Sequence, residues 1–226
     1  MSDPLPLFPL HLVLFPGMVL PLHVFEDRYR TLVRDLAQLP VDASREFGVV
    51  AIKVGYEVGE RGVHTIQRTG CSALATNVSA NEDGTFELTA VGRRRFHVER
   101  LDSSQDYLRA DVTWLPDPPG GQFPSELVQV TAIARDVFSV YRDTIENLRG
   151  DDVLDGVAPA DSAELSYALA AALVLNLAER QALLEAPDVL SRLRLCTSMM
   201  RSELRAISAI RSLPATSMAR TAWSPN

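Results

Sequence analysis

One stretch constrains this chain more than any other. In Leu115-Pro-Asp-Pro-Pro-Gly-Gly-Gln-Phe-Pro124, four prolines and two glycines fall within ten residues. Proline supplies no backbone donor and fixes φ, so neither a helix nor a regular ladder runs through such a segment. The hydrophobic period also changes across it. Before it, β-branched and aromatic residues are broken by turn signals; after it, Ala, Leu and Arg recur at helical spacing. We therefore expect strands with one small helix over residues 1–115, a helical bundle over residues 125–213, and a mobile tail over 214–226.

Within the first part, residues 5–19 carry short apolar stretches punctuated by Pro6, Pro9 and Pro16-Gly17, which suits edge strands and turns. Residues 26–39 repeat apolar positions at Tyr29, Leu32, Val33 and Leu36, the spacing of an amphipathic helix. A strand is expected over 47–54. Two more, over 72–78 and 85–91, are joined through Asn81-Glu82-Asp83-Gly84, a hairpin signal. Residues 96–101 and 107–114 complete the strands. In the second part Ser125 can cap a helix over 126–148, whose stripe is Val130, Ile133, Val137, Val140, Tyr141 and Ile145, with Gly150 placed to stop it. Asp161 or Ser162 caps the next helix, another covers about 178–185, and the last runs from Pro187 to about 213. Met199, Met200 and Leu204 read as bundle core, although thioethers also suit apolar binding.

The net charge of −7 disfavours a broad grip on a phosphate backbone or an anionic membrane. Arg93-Arg94-Arg95 is the one dense basic cluster, and on a strand at most two of the three share a face. Cys71 and Cys196 are too far apart in sequence to suggest a disulfide framework or a zinc site. His11, His23, His64 and His97 show no metal-ligand spacing, so neither metal nor cofactor is expected. The N-terminus lacks a basic region followed by an apolar one, and the apolar run over 167–178 is too short to cross a bilayer. The expected location is the cytoplasm, away from membranes.

Leu5-Pro-Leu-Phe-Pro-Leu10, Val13-Leu-Phe-Pro-Gly17, Leu20-Pro-Leu22 and Phe25-Glu-Asp-Arg-Tyr29 together resemble the signature that opens the N-terminal, substrate-recognising domain of Lon proteases. The resemblance continues through Phe47-Gly48, Gly70, Asp83-Gly84, Gly92 and Arg95-Phe96. It resumes at Leu165-Ser-Tyr-Ala-Leu-Ala-Ala, Glu179-Arg-Gln-Ala-Leu-Leu-Glu185 and Arg192-Leu193. Gly70-Cys71 departs from the family's usual Gly-Thr. The resemblance implies an α+β fold, a PUA-like β-barrel followed by an α-helical bundle, used to capture unfolded polypeptides for a protease. It also implies a free-standing member, because the sequence ends where an AAA+ module would begin. Such a module needs Gly-x4-Gly-Lys-Ser/Thr around its phosphates, and the chain's one lysine, Lys53, stands between Ile52 and Val54. A Ser-Lys protease needs a lysine beside its serine, and Lys53 has no adjacent serine in sequence. No enzymatic activity is expected.

The expected function is a non-catalytic polypeptide-binding module in protein quality control. Its partners would be unfolded or extended polypeptides, with a protease as a second class. Candidate binding residues are Phe8, Phe15, Phe25, Glu26, Arg28 and Arg30. Phe8, Leu14, Phe15 and Phe25 either close the barrel or line an apolar groove, and Glu26 with Arg30 either binds a ligand or forms an i,i+4 pair. Two alternatives stand beside this reading. An RNA-binding barrel would require a continuous positive face around residues 93–95, and a small-ligand protein would require a polar pocket between barrel and bundle.

Overall fold

A computed structural model describes residues 4–40, 44–53, 66–149 and 158–211. The tail expected over 214–226, the helix stop at Gly150, and His64 lie outside the described residues. The chain forms β1 (Leu5–Leu10), β2 (Val19–Val24), α1 (Asp27–Gln38), β3 (Glu46–Ala51), β4 (Thr69–Ala80), β5 (Phe86–Asp102) and β6 (Arg109–Trp114). Four helices follow: α2 (Pro124–Arg149), α3 (Ser162–Ala172), α4 (Leu177–Leu184) and α5 (Val189–Arg211). This is the expected α+β layout, strands first and helices after.

The sheet order is β2-β5-β4-β3-β1-β6, and a further β5–β6 pairing closes five of the strands into a barrel. Closure depends on β5, which is 17 residues long. Its first stretch pairs with β2 from Val24↔Phe86 to Val19↔Val91, and its later stretch pairs with β6 from Phe96↔Trp114 to Asp102↔Arg109. Bulges in the β4–β5 and β5–β6 registers let so long a strand bend around the barrel. The two strands expected over 85–91 and 96–101 are therefore one. Gly92 keeps the ladder continuous there because the turn before β2 docks on it. The Gly17 amide donates to Gly92 O and the Gly92 amide to Met18 O, both at 2.9 Å. A Cβ on Gly92 would sit 2.1 Å from Phe15 O, so only glycine fits.

Both faces of the barrel are covered, as alternation along β1 makes plain. Leu5 and Leu7 point inward with Val50, Ile66, Phe96, Val98 and Ala110, and these fill the interior. Phe8 points outward and stacks on Tyr29 of α1 at 4.0 Å between ring centroids. The buried residues of α1 are Tyr29, Leu32, Val33 and Leu36, the four expected from period alone. β1 is not the edge strand its prolines suggested. It pairs with β6 at Leu5 and Pro6 and with β3 from Leu7 to Leu10. The Leu7 amide donates to Leu108 O at 2.7 Å, toward β6. Amides alternate sides along a strand, so the missing donor of Pro6 faces β3 before that pairing begins, and that of Pro9 faces β6 after that pairing has ended. Neither proline removes a ladder bond.

The helices share a core with the outer face of the barrel, since Phe8, Phe15, Phe47, Tyr141, Leu169, Leu193 and Met200 belong to one continuous cluster. α2 and α5 run in the same direction: Glu126 meets Arg194 near their starts, and Tyr141 donates to Glu203 further along. Pro124, not Ser125, stands at the first position of α2, where its lack of a donor costs nothing. Asp161 caps α3, and Asn176 with Glu179 forms a capping box on α4. The last helix, α5, starts at Val189, two residues after the expected Pro187, and Asp188 caps it, since its carboxylate accepts from Ser191 N at 2.7 Å. Carbonyls of the linker accept from the first turn of α5 as well, Pro118 O from Val189 N at 3.0 Å and Pro119 O from Leu190 N at 3.1 Å. The proline-rich segment is thus a strap whose acceptors satisfy a helix start.

Charge fixes the same junction. Arg95 is 2% exposed and Arg192 0% exposed, and both guanidinium groups reach Asp117, at 3.0 and 2.7 Å. Arg95 also donates to Leu184 O, Ala186 O and Pro116 O, each at 2.7 Å. Arg192 donates to Leu183 O at 3.1 Å and to Ser166 Oγ at 2.9 Å, and lies 3.9 Å over the Tyr167 ring. Most of these carbonyls belong to the C-terminal end of α4, the negative end of its dipole, which offsets the shortage of carboxylates.

Two outcomes are expected. Asp117→Asn should lower the free energy of unfolding by about 3 kcal/mol in urea titrations, because it leaves two buried guanidinium groups without their counter-charge. Asp111→Asn, which breaks an exposed pair with Arg100, should cost no more than about 0.5 kcal/mol; equal losses would contradict the assigned role of Asp117. Second, burial pushes the thiols of Cys71 and Cys196 up to about 12. At pH 8 the thiolate is then roughly one part in ten thousand, so a disulfide reagent should label neither cysteine natively and both in denaturant.

Candidate functional site

A cleft of about 490 Å³ opens between the barrel and α3. One wall is the Pro16-Gly17-Met18 turn with Val91, Gly92 and Arg93 of β5; the other is Ala163, Glu164, Tyr167, Ala168 and Ala171 of α3. The turn is held to β5 through Gly92, and α3 is held by Arg192 and Cys196, which bond to Ser166. Pro159 closes one end, fixed by Arg135, which donates to Pro159 O and Ala160 O. Phe15 backs the turn from inside, 6.4 Å from the Tyr167 ring, with the Arg180 guanidinium of α4 5.1 Å over the Phe15 ring. Three alanines, Ala163, Ala168 and Ala171, keep the α3 wall low, which leaves room for a bulky side chain.

The polar groups of the cleft divide into two sets. Tyr167 and Asp117 are committed to the charge junction: the Tyr167 hydroxyl donates to Asp117 at 2.6 Å, and burial, foremost, pushes its ionisation above the ordinary phenol range. Arg93 and Glu164 are exposed, stand on opposite walls, and form no ion pair among the described residues. The cleft lining holds no Ser, Thr, Cys, His or Lys among the described residues. Ser166 sits just behind it, but its hydroxyl donates to Ala163 O and accepts from Arg192. The arrangement offers shape, apolar surface and two opposed charges, which suits binding.

The six residues singled out from the sequence are not brought together. Phe8 and Phe15 are 5% and 0% exposed, so both close the core and neither lines a groove; Leu14 is buried as well. Phe25 is 64% exposed, beside the His23 ring, at the end of β2 away from the cleft. From Met18 to Phe25 the strand covers about 23 Å at 3.3 Å per residue. Glu26 pairs with Arg28 at 2.6 Å and Arg30 with Asp27 at 2.9 Å, in place of the expected Glu26 to Arg30 pair. The outer edge of β2, which stands at the end of the sheet beyond the closed strands, joins this exposed group to the cleft.

The basic triplet is dispersed. Arg95 is buried, Arg94 lies 3.5 Å over Trp114 and 3.7 Å from Glu46, and Arg93 alone faces the cleft. It makes no continuous positive face. Sequence reasoning missed Asp117, Ala163, Ala168 and Tyr167 as site residues. Asp117 carried the one available signal, an acid fixed among prolines; alanines on an apolar helix carried none.

With this geometry in hand, the relatives are informative. The family described as ATP-dependent protease La (LON) substrate-binding domain matches residues 4–202. The Lon protease of Escherichia coli (strain K12) is 27% identical over 201 residues, which cover 88% of this chain and 25% of that protein. Lon protease 2 of Syntrophobacter fumaroxidans is 25% identical over 198 residues, 86% of this chain and 24% of that protein. The chain thus spans about a quarter of the length of these curated relatives. Among solved structures, a Lon N-terminal domain protein from Xanthomonas campestris is similar with a TM-score of 0.58 and 29% identity, over 85% of this chain and 96% of that one. The N-terminal domain of Mycobacterium avium complex Lon protease shares the fold, with a TM-score of 0.64 at 18% identity over 88% of this chain and 98% of that one. The match runs through the turn, the barrel, the strap and the charge junction alike, and the chain belongs to the Lon substrate-binding domain family.

Proposed function

We propose that the protein is a non-catalytic module that holds an extended, apolar segment of polypeptide in the cleft between the Pro16-Gly17-Met18 turn and α3. The cleft itself is the observation that carries this reading: about 490 Å³, walled by Met18, Val91 and the alanines of α3. That volume suits a few residues of chain, with one large side chain seated against Ala168. Arg93 and Glu164 would then orient the segment, drawing its acidic flank to the barrel and its basic flank to α3. The edge of β2, unpaired among the described residues, extends the surface toward Phe25 and suits strand addition by a bound chain. Membership of a substrate-binding domain family supports a role in protein quality control, with unfolded clients and a protease as the partner classes. Among the described residues, no helix is long and apolar enough to cross a membrane, in keeping with action in the cytoplasm.

Contacts this small and unspecialised give dissociation constants on the order of micromolar or weaker. The test is fluorescence anisotropy with a labelled unstructured peptide that carries one central Leu or Phe. Ala168→Trp fills the cleft from a half-buried position and should weaken binding about tenfold or more, with an unchanged thermal midpoint. Arg93→Glu should invert the preference between acidic and basic flanks. If folded Ala168→Trp binds the peptide as tightly as the parent, the cleft is not the site. The purified protein should also hydrolyse neither ATP nor casein, and activity that disappears in Lys53→Ala would overturn the non-catalytic reading.

A further inference from the structure

We propose that a second surface, the groove between α2 and α5, docks an acidic amphipathic helix. The groove encloses about 390 Å³ and lies among Val130 and Ile133 of α2 and Arg194, Thr197, Arg201 and Arg205 of α5. Thr197, Ser198, Arg201 and Arg205 are spaced three, four, seven and eleven from Arg194, which puts them on one face over three turns. Three guanidinium groups therefore line one wall of a chain whose net charge is −7. Arg194 is already neutralised by Glu126 at 2.7 Å. Arg201 and Arg205 are exposed and meet no carboxylate among the described residues, and Arg205 donates only to the Arg201 carbonyl, at 3.2 Å. Two unmatched positive charges one helical turn apart call for carboxylates at the same spacing.

The other wall specifies the rest of the partner. Ile133, in the groove, is 40% exposed, and Val140, seven residues further along α2 and so on the same stripe beyond the groove, is 57% exposed. An apolar stripe bordered by unpaired cations is complementary to a helix with an apolar stripe bordered by Glu or Asp. Because α2 and α5 run in the same direction, their groove accepts a third helix lengthwise, and both sets of residues repeat at its period. Nucleic acid fits less well. The groove presents no aromatic platform for bases, and its apolar wall would be wasted on phosphate. The surface is separate from the cleft against α3, so its occupancy does not depend on what the cleft binds.

The test uses the full chain and a synthetic amphipathic helix that carries Leu at heptad spacing flanked by Glu. Its counterpart has Lys for Glu, and a single-stranded oligonucleotide serves as a charge-only probe. Fluorescence anisotropy should show the Glu peptide bound and the Lys peptide at least about tenfold weaker. Arg201→Glu with Arg205→Glu, and separately Ile133→Ser with Val140→Ser, should each weaken the Glu peptide about tenfold, with circular dichroism unchanged. Ala168→Trp should leave this binding as it was, which separates the result from the fate of the cleft. The proposal is overturned if either folded double variant binds the Glu peptide as the parent does, if the Lys peptide binds equally well, or if the oligonucleotide competes at equal affinity. It is overturned as well if sedimentation shows a dimer that Arg201→Glu dissociates, since the groove would then be occupied by a second copy.

Discussion

Asp117 holds the molecule together at the one place where strands, strap and helices meet. Two guanidinium groups with almost no exposure share its carboxylate, one from the middle of β5 and one from the first turn of α5. An isolated buried charge is so costly that each of these arginines is tolerable only with its full set of partners present. The set includes carbonyls at the end of α4, a hydroxyl of α3 and a carbonyl of the strap. Five separate segments must therefore arrive before any of the charges is satisfied. Such a knot adds little net stability over an apolar contact, but it admits only one docking of the helices on the barrel. The cleft inherits its shape from that docking, because Tyr167, which forms part of its wall, is a member of the knot.

The barrel solves a different problem. A six-residue strand cannot close a sheet by itself, and closure here depends on a 17-residue β5 that changes partners midway. Small residues make the change possible. Gly48 and Gly70 leave space for the Phe96 ring, whose Cζ would lie 2.7 and 2.6 Å from a Cβ at either position. Gly92 lets the turn before β2 lie against the strand where β2 leaves and β6 takes over. The glycines that mark the family resemblance are thus sites of close approach, around which the interior closes on an aromatic ring.

How much of this could be read in the sequence depended on whether the signal was local. The α1 period survived because one face of a helix meets the barrel and the other meets solvent. The Asp83-Gly84 turn survived because Gly84 needs its positive φ of 79° whatever surrounds it. Pro6 and Pro9 misled because they sit at the two points of β1 where no donor is required, a fact of register that no composition reveals. Nothing in the sequence marked Arg95 and Arg192 as buried, because their shared counter-ion lies on the strap, 75 residues from Arg192. Phe8 and Phe15 flank prolines just as exposed binding residues would, and only the sign of the strand pleat and the inward turn decide that both are core. The cleft itself joins a turn near residue 17 to a helix near 167, and its alanine wall is defined by what is small.

The strap meets α5 through main-chain atoms, Pro118 O to Val189 N and Pro119 O to Leu190 N. Beside that seam Gly120 admits no other residue, since its φ is 76° and a Cβ would meet Asp188 Oδ1 at 2.4 Å, and the length of the strap is just as constrained. Adding or removing one residue between β6 and those carbonyls would shift the helix start by one position and turn α5 about 100° on its axis. Arg192, Leu193, Cys196 and Met200, all buried along one side, would leave the core together, and the arginine stripe of the α2–α5 groove would rotate out of register with them. The linker therefore sets the phase of α5 by its residue count, while Asp117 and the left-handed Gly120 and Gly121 fix the path it takes to get there.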